Sequence, residues 1–151
     1  MANKKVGRRN NAFTLKLRAR FGDTDASGVV HYARVLSYFE LLEEEYFIEK
    51  GYGWQEQFEE GFCLARHELN CTYFSRIKHG DELTAEMRIT EVGRSHLKYE
   101  FKIYNDTTKS RAAEGSLVAV AVELKSWKKI NLPQRIRELV SVDVHASPSD
   151  S

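Results

Sequence analysis

Two carboxylates two positions apart open the stretch Asp23-Thr24-Asp25-Ala26-Ser27-Gly28-Val29-Val30-His31-Tyr32. A strand-like pattern ends just before them and a helix-like pattern starts just after. The first turn of a helix leaves backbone N–H groups unpaired and carries partial positive charge. An acid in the loop that feeds such a terminus suits attack on a carbonyl. The carboxylate acts as nucleophile or activates a water, and the N–H groups hold the developing oxyanion. Gly28 would let a substrate come close to the backbone. The same acids also read as ordinary turn and N-cap residues, and the residue pattern alone leaves both readings open. A calcium loop fits less well. Asp23, Asp25, Ser27 and Gly28 match its first, third, fifth and sixth positions, but the twelfth is Arg34 rather than Glu, and a strand enters the loop.

Other candidate groups carry less. His67, His79, His96 and His145 lack metal-ligand spacing, so no metal site is expected. There is no Gly-x-Ser-x-Gly elbow and no phosphate loop of the Walker type. Cys63 and Cys71 fall on one extended segment, roughly 26 Å apart at about 3.3 Å per residue. A disulfide needs Cα atoms within about 7 Å, so they read as reduced, buried thiols. Glu40 reads as a buried structural acid of the helix, and Glu43–Glu45 as a solvated helix edge.

The elements that must position these groups follow from periodicity. Residues 1–12 are polar and aperiodic and read as a disordered basic tail. Leu15, Leu17, Ala19 and Phe21 alternate with polar neighbours, the period of a strand with one buried face. A long helix is expected over about 31–50, with Val35, Leu36, Phe39, Leu42 and Tyr46 on its apolar stripe and Leu41, Phe47 and Ile48 widening it. Gly51 stops it, and 53–60 hold a short helical turn. Strands follow at 62–74, 83–89 and 97–103, with turns at Gly80-Asp81, Gly93 and Asn105-Asp106. Leu117–Val122 is apolar on both faces and should be covered on both, by the helix plus either a subunit partner or other parts of the chain. Pro133 precedes a short helix over about 134–140, and 142–151 read as a flexible tail. One strand, a long helix and then four strands make an α+β domain over 13–141.

Composition bounds the function. The 23 basic and 22 acidic residues leave a net charge of +1, which argues against a polyanion-binding field and against nucleic acid as partner. No apolar run approaches the ~20 residues of a membrane span. Seven basic residues precede the first acid, Asp23, but the strand pattern begins too early for a transit peptide, so a cytoplasmic location is expected.

The loop motif resembles the signature of the 4-hydroxybenzoyl-CoA thioesterase family of hot-dog proteins: Asp-x-Asp-x-x-Gly-Val-Val, an aromatic pair and a buried helix. The likeness continues through Phe39-Glu40, Gly80-Asp81-Glu82-Leu83 and Glu114-Gly115, and covers about 13–133. It implies a hot-dog fold, an antiparallel sheet of about five strands wrapped around one long helix. It implies a homodimer, often paired into tetramers, with active sites at the subunit interface. It implies hydrolysis of acyl-CoA or acyl-carrier-protein thioesters, without a cofactor. Carried onto this chain, it makes Asp25 the catalytic carboxylate and the Tyr32 N–H the carbonyl-polarising donor. Gly28, Val29 and His31 would line the substrate. His31 stands where the family often has an aromatic residue, which leaves the acyl preference open. Arg94 and Ser95, at a strand start, would meet a CoA phosphate unless they form a plain solvated turn. The rival readings are a non-catalytic acyl-thioester binding module and a hydratase using His31 with Asp25.

Overall fold

A computed structural model describes residues 5–9 and 11–144. It is an α+β hot-dog fold with a six-stranded antiparallel sheet. The elements run β1 (Lys5–Arg9), β2 (Ala12–Arg18), a 3₁₀ turn (Phe21–Asp23), α1 (Tyr32–Glu49), α2 (Trp54–Glu59), β3 (Phe62–Tyr73), β4 (Glu82–Val92), β5 (His96–Asn105), β6 (Ser110–Glu123) and α3 (Gln134–Ser141). The strand order is β1-β2-β4-β5-β6-β3. Among the described residues no helix is long and apolar enough to cross a membrane.

The sixth strand corrects the expected disordered tail. β1 pairs antiparallel with β2, and Arg9 pairs with Ala12 across a two-residue connection. Asn11 takes a φ of 64° there, a left-handed conformation that Asn tolerates at little cost. Val6 stays 43% exposed, so backbone pairing rather than burial holds this strand. Residues 1–4, and the part of the expected C-terminal tail from 145 onward, lie outside the described residues.

Contacts divide the chain into two compact units. The first takes the chain up to Glu43, Cys71–Met87 and Phe101–Gly115. In it β2 and β4 pair Phe13 with Met87, Leu15 with Ala85 and Leu17 with Leu83, and all six side chains are buried. The opposite face carries Lys16, which bonds Thr84 Oγ1 at 2.5 Å, and Arg18, which bonds Glu82 at 2.9 Å through Nε. Val35, Tyr38, Phe39 and Leu42 of α1 are buried, and Phe39 stacks on Phe101 with ring centroids 4.6 Å apart.

The second unit takes Glu44–Asn70, Arg88–Glu100 and the chain from Ser116 onward. Tyr46, Phe47, Leu97, Tyr99, Ile136 and Val140 form its core. Asp143 accepts from Tyr46 Oη at 2.7 Å and pairs with Lys50 at 2.7 Å.

Several burial expectations need correcting. Glu40 is exposed and Glu43 is buried, the reverse of the sequence reading. Residue 43 lies four past Phe39 and three before Tyr46, on the same helical stripe, whereas residue 40 lies off it. Leu36 is half-buried and Ile48 exposed, while Tyr38, left out of the expected stripe, is buried. Leu117, Ala119 and Ala121 are buried, and Val118 and Val120 on the other face are half-buried within the single chain. Cys63 and Cys71 are free, as expected, though half-buried rather than buried; burial raises both thiols' pKa.

Candidate active site

The loop joining β2 to α1 lies within the first unit and is tied down by backbone bonds. Val30 N–H donates to Ile77 O at 2.8 Å, and His79 N–H to Gly28 O at 3.3 Å. Residues 77–79 are themselves fixed by Asp81. Its buried carboxylate accepts from Lys78 N–H at 2.9 Å and from Asn105 Nδ2 at 2.8 Å. Inside the loop, Asp25 N–H donates to Val29 O and Gly28 N–H to Asp25 O, both at 3.0 Å. Gly28 has φ +80°, and a Cβ placed there would meet nothing within 4 Å. The positive φ is a backbone conformation that favours glycine.

The two acids are used differently. Asp23 Oδ2 accepts from Arg20 N–H and from Tyr38 Oη, each at 2.9 Å, and its carbonyl accepts His31 N–H at 2.9 Å. Its carboxylate is thereby committed to holding the loop on α1. Burial, followed by the Asp23 charge, pushes the Tyr38 hydroxyl well above its usual pKa, so it remains a donor. Tyr38 is the residue that sequence reasoning missed here. The signal was its helical spacing, three past Val35 and four before Leu42.

Asp25 is exposed. Among the described residues its carboxylate accepts only from Ser27, through the backbone N–H at 2.8 Å and through the hydroxyl. Those two bonds, the hydroxyl's first, hold its pKa below the ordinary aspartate value, and the nearby His31 lowers it further. Asp25 is therefore ionised and open to solvent on one side.

The helix begins beside it. His31 Nδ1 accepts from Ala33 N–H at 3.2 Å and caps α1. The His31 and Tyr32 rings stack with centroids 4.4 Å apart. Tyr73 Oη donates to Tyr32 O at 2.7 Å and ties the first turn to the end of β3. The Tyr73 pKa is pushed up to about 12, chiefly by burial and then by its bond with Cys71. The Tyr32 N–H has no hydrogen-bond partner among the described residues, as expected of a first helical N–H.

A cavity of about 330 Å³ opens at this point. Val29 and Tyr32 line it, together with Val35, Tyr73, Phe74 and Ile77 among others. Asp25, Gly28 and His31 stand on the adjoining loop, outside the lining. Arg94 and Ser95 belong to the second unit. There the Arg94 carbonyl accepts from Leu132 N–H at 2.8 Å and from the Arg137 guanidinium at 2.7 Å, and the Ser95 carbonyl accepts from Ala121 N–H at 2.8 Å. Their backbone carbonyls are thus bonded within that unit, and neither residue lines the cavity.

An ionised acid, an open helix N-terminus and an apolar cavity within one hot-dog fold define a class, and the family comparison agrees. Residues 19–140 match the model of the Thioesterase-like superfamily, and the chain belongs to that superfamily. Among curated relatives it is 26% identical over 129 residues to the acyl-CoA thioesterase YbgC of Haemophilus influenzae, covering 85% of this chain and 93% of that one. It is 28% identical over 142 residues to a 1,4-dihydroxy-2-naphthoyl-CoA hydrolase of Prochlorococcus marinus, covering 83% of this chain and 87% of that one. The crystal structure of a 1,4-dihydroxy-2-naphthoyl-CoA thioesterase from Synechocystis superposes with a TM-score of 0.80 at 22% identity, covering 86% and 96% of the two chains.

Proposed function

We propose that this protein hydrolyses acyl-CoA thioesters, with Asp25 as the reacting carboxylate. Within the superfamily we place it on the 4-hydroxybenzoyl-CoA thioesterase branch, because it keeps that branch's loop acid. The observation that carries the reading is the division of labour in the loop. Asp23 is consumed by Tyr38 and Arg20, whereas Asp25 is held ionised by Ser27, with His31 adding to the effect, and faces solvent on the loop that leads into the open Tyr32 N–H.

In this mechanism the thioester carbonyl oxygen accepts the Tyr32 N–H at the positive end of α1. Asp25 either attacks the carbonyl carbon or takes a proton from a water that attacks it. The C–S bond breaks and the thiolate leaves to be protonated. In the nucleophilic variant, water then hydrolyses the mixed anhydride and regenerates Asp25. Gly28, Val29 and His31 border the substrate on the loop side. The names of the relatives favour coenzyme A as the carrier, and an acyl-carrier protein is the alternative donor. The working unit is a homodimer or a dimer of dimers. The exposed edge strand β3 and the half-covered Val118 and Val120 support an assembly larger than one chain.

The test is release of free thiol from a panel of acyl-CoAs, followed by acyl-carrier proteins. Steady turnover is expected with at least one acyl-CoA. Saturable binding without thiol release from either carrier would instead support the non-catalytic binding module.

A further inference from the structure

We propose that Arg76 selects the acyl group, favouring thioesters whose acyl part is compact and ends in a carboxylate. The inference rests on the thioesterase reading above, with the carbonyl held at the Tyr32 N–H.

The cavity that begins at Tyr32 is apolar over most of its lining. Tyr32, Tyr73 and Phe74 contribute aromatic surface, and Ala112 and Ala113 leave it room. At about 330 Å³ it stands at the small end of ligand cavities, roughly 300–1,000 Å³. An acyl group that fills it is a single ring or a short chain, not a long fatty chain.

The polar groups around it are almost all engaged. Tyr73 Oη donates to Tyr32 O at 2.7 Å, and Ser75 Oγ donates to Arg111 O at 2.7 Å. Arg111 lies over the Phe74 ring at 3.5 Å and pairs with Glu114 at 3.5 Å. Arg76 differs. It lines the same cavity and is exposed, and its guanidinium has no hydrogen bond or ion pair among the described residues. A planar fork of donors left free beside an apolar cavity matches a carboxylate with two parallel bonds.

Coenzyme A brings phosphates of its own, but distance argues against them here. A compact cavity of that volume is about 9 Å across, whereas an extended pantetheine arm, as long as about five extended residues, sets the phosphates roughly 17 Å from the thioester. With the carbonyl at Tyr32, the group that reaches Arg76 belongs to the acyl part.

The experiment compares matched substrates: the CoA monothioester of terephthalic acid against benzoyl-CoA, and glutaryl-CoA against valeryl-CoA. Wild type is expected to favour the carboxylated member of each pair in kcat/KM by roughly 10- to 100-fold, the range of one charge-assisted pairing. Arg76→Gln should bring that ratio close to one, mainly through KM, and Arg76→Lys should restore part of it. The same acyl groups on N-acetylcysteamine, which has no phosphate, should keep the wild-type preference. Loss of activity in Arg76→Gln on every CoA thioester but on no N-acetylcysteamine thioester would assign Arg76 to a phosphate and overturn the proposal. Turnover with equal ratios in wild type and variant would overturn it while leaving the thioesterase reading intact. No thiol release from any substrate would overturn both.

Discussion

Ser27 donates twice to the Asp25 carboxylate, and those two bonds are the main reason its pKa lies below that of a free aspartate. The sign follows directly. A carboxylate with a lowered pKa keeps its charge as the solution is acidified, and loses function only when pH falls through the lowered value. If Asp25 must be ionised for turnover, the acid limb of kcat/KM against pH lies below the ordinary aspartate value of about 3.9. Ser27→Ala removes the hydroxyl bond and leaves the backbone bond, so the limb should move to higher pH. A limb that stays in place in Ser27→Ala would detach the pH dependence from Asp25. The pair of acids was visible in the sequence, but their separate uses were not. That distinction depends on Tyr38, which arrives from the second turn of α1 to occupy Asp23.

The site loop is an element in its own right, built to bring β2 into the start of α1 with Asp25 outward. Its tightest point is Gly28, at φ +80° with empty space where a side chain would stand. Gly28→Ala therefore meets no steric neighbour but keeps a backbone conformation that L-residues disfavour by about 1–2 kcal/mol. We expect a loss of stability of that size by urea unfolding, with the slope of the transition unchanged. An unaltered midpoint would mean that the loop relaxes to another conformation at no cost. The extent of α1 and the places of β4 and β5 were legible because each buries one face at a clear period, whereas β6 begins at Ser110, seven residues before the apolar run that marked it, and the outer half of β3 is exposed. α1 begins at Tyr32 and ends at Glu49, within a residue of the expected bounds at each end. β1 was not legible. It buries little, and its evidence is a backbone register that leaves no alternation of polar and apolar residues.

At the scale of the whole molecule, the superfamily match supports a thioesterase, and the near-neutral charge gives no dominant polyanion-binding field. The cavity was the part that sequence could not supply. Its lining is drawn from residues 29–35, 73–77 and 112–113, brought together only by folding, so nothing local marked Arg76 or Tyr73 as neighbours of Tyr32. The motif at 23–32, by contrast, is one continuous stretch, and the residues that matter most to the proposed chemistry lie inside it. The claim on which the rest depends is that Asp25 reacts while Asp23 only holds the loop in place. The direct measurement is thiol release and thermal stability in Asp25→Asn beside Asp23→Asn, on whichever acyl-CoA wild type hydrolyses fastest. Asp25→Asn is expected to lose about 10²- to 10⁴-fold in kcat and to melt like wild type. Asp23→Asn is expected to lose about 1–2 kcal/mol of stability through its weakened bond with Tyr38, and the folded variant to keep most of its turnover. Turnover in Asp25→Asn at the wild-type rate would contradict that claim.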